Sequence, residues 1–96
     1  MKREESLEKI AELIQSEDFD PLWNFVISPI KKIIDDYYKN SEAKCSIVKI
    51  TEEERYLYNL NLLLSIDITR DILNDVDVKC HLILLEGNNL KVFFYR

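Results

Sequence analysis

Near Ala43 the spacing of apolar residues changes, and that change limits the possible folds more than any other feature of the chain. Before it, apolar side chains recur every three or four residues, the period of a helix. After it they alternate, the period of a strand. Helices first and strands after them describe an α+β domain, with the helices segregated onto the sheet.

The helical half divides at two prolines. Arg3 to Gln15 reads as a first helix, with Leu7, Ile10, Ala11 and Ile14 in one stripe, widened by Leu13, and glutamates on the wet side. Asp20 is placed to cap a second helix, with Pro21 at its first position, where a missing N–H costs nothing. Ser28-Pro29 repeats that signal, so either a third helix begins at Pro29, the favoured reading, or one helix continues to about Lys39 with a kink; Ile30, Ile33, Ile34, Tyr37 and Tyr38 supply its apolar side.

Four strands are expected in the second half. Cys45 to Ile50 alternates with Ser46, Val48 and Ile50 on one side, and Thr51 to Arg55 reads as a polar turn. From Asn59 to Thr69, Leu60, Leu62, Leu64, Ile66 and Ile68 alternate with Asn61, Leu63, Ser65 and Asp67, which predicts a long strand. Arg70 to Asp75 then reads as a connection. Val76 to Leu85 and Leu90 to Tyr95 complete the set, joined by a four-residue loop around Gly87. Gly87 is the only glycine in 96 residues, so regular elements leave little room for loops. The expectation is one domain over residues 1–96, with two or three N-terminal helices packed on a four-stranded antiparallel meander sheet.

Chemistry is sparse. His81 is the only histidine, and alternation sets it on the face opposite Cys80, which argues against a catalytic dyad. Two cysteines and one histidine do not make a zinc site, and Glu52-Glu53-Glu54 lacks the spacing of a calcium loop. A single glycine does not build a phosphate cradle. No catalytic residue, metal or cofactor is expected. Cys45 and Cys80 read as reduced thiols, with a bridge between neighbouring strands as the alternative. The charged N-terminus lacks the form of a signal peptide, and no apolar run approaches the roughly 20 residues that span a bilayer. A cytoplasmic protein is expected.

Two features point toward binding. The net charge is −5, which disfavours direct contact with nucleic acid and favours a basic partner. The sheet face opposite the core would hold Leu63, Ile83, Leu85, Phe93 and Tyr95 beside Asn61, Asp67, Asp77, Lys79 and His81, an apolar patch with a polar rim. The expected contact is Asn61, Leu63, Asp67, Asp77, Lys79, His81, Phe93 and Tyr95. The function expected from it is that of a small acidic inhibitor or immunity-type protein that occludes a basic enzyme. The alternatives are a homodimeric or chaperone-like module using the same face, and a small-molecule binder lined by Trp23, Tyr37, Tyr38 and His81.

Overall fold

In the computed structural model, which describes residues 2–96, helix α1 spans Arg3–Gln15, as its periodicity indicates. Its buried side is rotated from the expected stripe. Ser6 and Ile10 are fully buried and Leu7 and Leu13 half-buried, whereas Ala11 and Ile14 face water. Ser6 tolerates burial because its hydroxyl donates to the Val76 carbonyl at 3.2 Å and lies 3.2 Å from the Tyr38 hydroxyl.

Asp20 does cap the next element, accepting from the Leu22 N–H at 3.0 Å, and that element is a 3-10 helix, Pro21–Val26. It runs into helix α2, Ile27–Lys39, without a break at Pro29. Pro29 lies in the first turn of α2, where the backbone N–H has no helical partner to lose. Ile27, Ile30, Ile33 and Ile34 form the buried stripe of α2.

Strand β1, Cys45–Lys49, follows the expected alternation. The expected strand from Asn59 to Thr69 is not formed. That stretch lies in two helices, α3 (Glu52–Leu60) and α4 (Leu62–Asp75). Thr51 and Glu54 close a capping box that starts α3, and Asn61 accepts from the Leu64 N–H at 3.3 Å to start α4. The buried side of α4 is Ser65, Thr69, Ile72 and Leu73, spaced four, three and one apart. The alternating leucines and isoleucines that suggested a strand stand outside this stripe, with Leu60, Leu62 and Leu64 exposed. The sheet therefore has three strands, and Glu52 to Arg55 is a helical turn instead of a loop.

Helix α4 ends in a Schellman motif. The Val78 N–H bonds the Leu73 carbonyl and the Asp77 N–H bonds the Asn74 carbonyl, with Asp77 in the left-handed region at φ 61°. Strands β2 (Cys80–Glu86) and β3 (Asn89–Phe94) follow, joined by a two-residue turn, Gly87-Asn88, in place of the expected four-residue loop. Gly87 supplies the positive φ, 57°, at the first turn position. The sheet order is β1-β3-β2, all antiparallel, so β1 and β2 are the edges.

The β2 register slips between Cys80 and Leu82, leaving His81 as the extra residue of a bulge. Cys80 points inward, and so do Ile83 and Leu85; Leu82 and Leu84 point outward. Without the bulge, alternation puts Ile83 and Leu85 on the outer face, and that expectation is corrected here. Helix α2 packs on β1 and α4 on β2, while α1 packs on α2, and α3 on α4 and the 3-10 helix. Val48, Ile83, Leu90, Val92 and Phe94 meet Ile30, Ile33, Ile34, Ile72 and Leu73 in one core. Arg96 ties β3 to the end of α2: its guanidinium lies 3.9 Å over the Tyr37 ring and donates to the carbonyls of Tyr37, Asn40 and Ala43.

Candidate functional site

Two surfaces stand out, and they lie on opposite layers of the molecule. The first is the outer sheet face, which no helix covers. Register places Cys45, Phe93 and Leu82 in one row across the three strands, and Ile47, Lys91 and Leu84 in the next. Ile47 is 59% exposed and Tyr95 64%. The His81 ring sits 4.9 Å from that of Tyr95 and 6.3 Å from that of Phe93. Lys49, Lys79 and Lys91 surround the patch, with Glu86 bonded to Lys91 at 3.1 Å.

Of the eight residues expected to share a contact, the fold gathers Lys79, His81, Phe93 and Tyr95 at this face. Asp77 occupies the left-handed turn before β2. Asn61, Leu63 and Asp67 belong to α4: Asn61 is its cap, Asp67 pairs with Arg70 at 3.2 Å, and Leu63, 81% exposed, stands at the α3–α4 corner with Tyr56, Leu60 and Leu64. Sequence reasoning missed Ile47, Leu82 and Leu84 on the outer face.

The second surface is a groove between α1 and α4, extended by the segment that leads into the 3-10 helix. It consists of two hollows of about 350 and 250 Å³ that share Leu13, Ile72 and Asp75. Ile10, Leu13, Ile68, Ile72 and Val76 make the floor, and Phe19 and Trp23 make one wall. Glu12, Asp18, Asp20, Asp71 and Asp75 form the rim, and none of them has an ion pair among the described residues. Glu12 lies in the last turn of α1 and Asp75 in the last turn of α4, and neither turn holds a basic residue. Two helix dipoles thus point their negative ends at a groove already edged with carboxylates. Lys9, donating to the Asp75 carbonyl at 3.4 Å, is the one cation beside it among the described residues. A larger open hollow between α1 and α2, about 550 Å³, carries Lys31, Lys32 and Asp35 and has no aromatic wall.

The thiols do not meet. Cys45 is exposed on the outer face and Cys80 buried on the inner one, and β3 lies between their strands. Two strand spacings put their backbones about 10 Å apart, beyond the reach of a disulfide. Burial pushes the Cys80 thiol up, against a smaller opposite pull from Arg70. Among the described residues, no group of three or more His, Cys, Asp or Glu side chains is placed to hold a metal ion. Among the same residues, no helix is long and apolar enough to cross a membrane.

Comparison with family models, with curated proteins and with solved structures gives no match to this chain.

Proposed function

We propose that this chain is a binding protein that takes a basic segment of a protein partner into the groove between α1 and α4. Its task is occlusion of that partner, in the manner of an inhibitor or immunity-type protein, and no step of catalysis is assigned to it.

One observation carries this reading. Carboxylates without ion pairs among the described residues surround an apolar floor at the negative ends of two helices. Acidic side chains at a helix C-terminus oppose the dipole and cost stability, about 0.3–1 kcal/mol each at exposed positions. A sequence that keeps such a cost at one groove is using the charge there. The floor suits the apolar stem of a lysine or arginine, Phe19 and Trp23 line the groove where its charged head would sit, and the aspartates would pair with that head.

The test is a comparison of the protein with its Asp71→Asn/Asp75→Asn variant. A short lysine- and arginine-rich peptide is titrated at ionic strengths of about 0.05 M and 0.3 M. Native protein should bind with an affinity that falls as salt rises, with NMR shifts along α1 and α4. The double variant should melt at the same temperature or slightly higher, and bind at least tenfold more weakly. A variant that is less stable, or one that binds the peptide equally well, sinks the reading.

A further inference from the structure

The uncovered sheet face is a second site, independent of the groove. We propose that it docks an acidic amphipathic helix of a protein partner.

An antiparallel sheet that faces water on one side normally presents polar residues there. This one presents Ile47, Leu82, Leu84 and Phe93, in rows that register sets across all three strands, with Tyr95 exposed just past β3. The dimensions select the occupant. Three strands at about 4.8 Å spacing put the outer strand axes about 10 Å apart, which is the width of one helix. The stretch from Asn89 through β3 to Tyr95, about 20 Å, matches about 14 helical residues. A single helix over rows Cys45–Phe93–Leu82 and Ile47–Lys91–Leu84 supplies the missing third layer.

Charge selects its character. Lys49, Lys79 and Lys91 flank the patch, and Lys44 and Arg96 line a hollow with His81, Phe93 and Tyr95, against Glu86 and, beside Ile47, Asp36; Lys49 and Lys79 have no ion pair among the described residues. Lysines beside an apolar stripe suit a helix with leucine-type residues on one side and glutamates at its margins. A second copy docked face to face would bring two faces of the same positive charge together. A single nucleic-acid strand would find stacking rings in Phe93, Tyr95 and His81, but Ile47, Leu82 and Leu84 would leave its bases on aliphatic carbon.

Cys45 makes the face measurable in the native protein, because its thiol is exposed in the first row while Cys80 is buried behind the sheet. Two stapled helical peptides of about 14 residues are compared. They share one leucine stripe and differ only in carrying glutamate or lysine at its margins. The glutamate peptide should shift the amides of β1, β3 and β2 and slow the maleimide reaction of Cys45. It should also bind about tenfold or more tightly than the lysine peptide. Ile47→Asp and, separately, Leu84→Asp should abolish binding while the melting temperature holds. Should one of them fail to fold, Lys49→Glu/Lys79→Glu gives the same test by reversing the preference between peptides.

The proposal is overturned by no binding of the glutamate peptide at millimolar concentration, equal affinity for both peptides, or shifts confined to α1 and α4. It is also overturned by a free protein that sediments as a dimer with Cys45 protected, or by a thymidine oligonucleotide that outcompetes the glutamate peptide. Asp71→Asn/Asp75→Asn should leave this binding unchanged, so a failure here and a failure at the groove are read separately.

Discussion

Tyr58 shows how one side chain sets a pH limit on the fold. It is fully buried on α3, its ring edge-on to Phe25 at 5.2 Å, and its hydroxyl lies 2.8 Å from Thr69 Oγ1. Thr69 donates to the Ser65 carbonyl at 2.8 Å, so the phenol is the donor in the first bond. Burial, and to a lesser degree Glu54, push its ionisation well above the ordinary 10.0. The native state therefore holds the proton that the unfolded chain releases. The stability that follows is fully present below pH 10.0, the unfolded value, and falls above it by about 1.4 kcal/mol per pH unit. Tyr58→Phe should cost about 1 kcal/mol near neutral pH yet flatten that alkaline decline. Urea denaturation across a pH series checks both, and an unchanged alkaline slope in the variant refutes the assignment. Asp77 is a residue whose role depends on the helix before it. As a strand residue it would face a partner, whereas as the left-handed stop of α4 it shapes a turn.

At the level of elements, the clearest test is the start of α3. The Thr51 hydroxyl accepts from the Glu54 N–H at 3.1 Å, and the Glu54 carboxylate accepts from the Thr51 N–H at 2.8 Å. Thr51→Ala should lower stability by about 1 kcal/mol, read in thermal or chemical melts; a loss below a few tenths would mean the box is redundant. The bounds of α1, the Asp20 cap and strand β1 were legible in the sequence, whereas Thr51-x-x-Glu54 lies in a stretch that reads there as a polar turn. The run from Leu60 to Ile68 misled because α4 hides two polar residues, Ser65 and Thr69, whose hydroxyls bond carbonyls one turn back. Periodicity counts apolar residues, so a buried stripe that is half polar goes unseen. The His81 bulge was equally silent, since one extra residue reverses every inward and outward assignment after it. Phe93, Tyr95 and His81 were legible as a patch because they lie close together in the strands. The acidic groove was not, because its parts come from α1, the 3-10 segment and α4. The signal that could have revealed it is the lack of any basic residue in the last turns of α1 and α4.

The whole molecule is a slab of 33 × 32 × 19 Å, with a helical layer and a bare sheet as its two broad faces. Charge divides between them. Residues 2–20 and 67–77, which hold α1 and most of α4, carry eleven acidic and four basic side chains, and the remainder carries seven and nine. The modest net charge conceals this separation. For a basic partner approaching the groove, raising ionic strength from about 0.01 to 0.15 M should slow association about tenfold while dissociation changes little. Stopped-flow measurement at a series of salt concentrations checks this, and a salt effect confined to dissociation would count against steering. The strand order has a further consequence, in time instead of space. The middle strand, Asn89–Phe94, is the last of the three to leave the ribosome. Until it emerges, β1 and β2 have no neighbour to pair with, and the layer of helices has no complete surface to rest on. A nascent chain halted anywhere before Asn89 holds helices without a sheet, so the domain cannot mature piecemeal and must assemble in one late step.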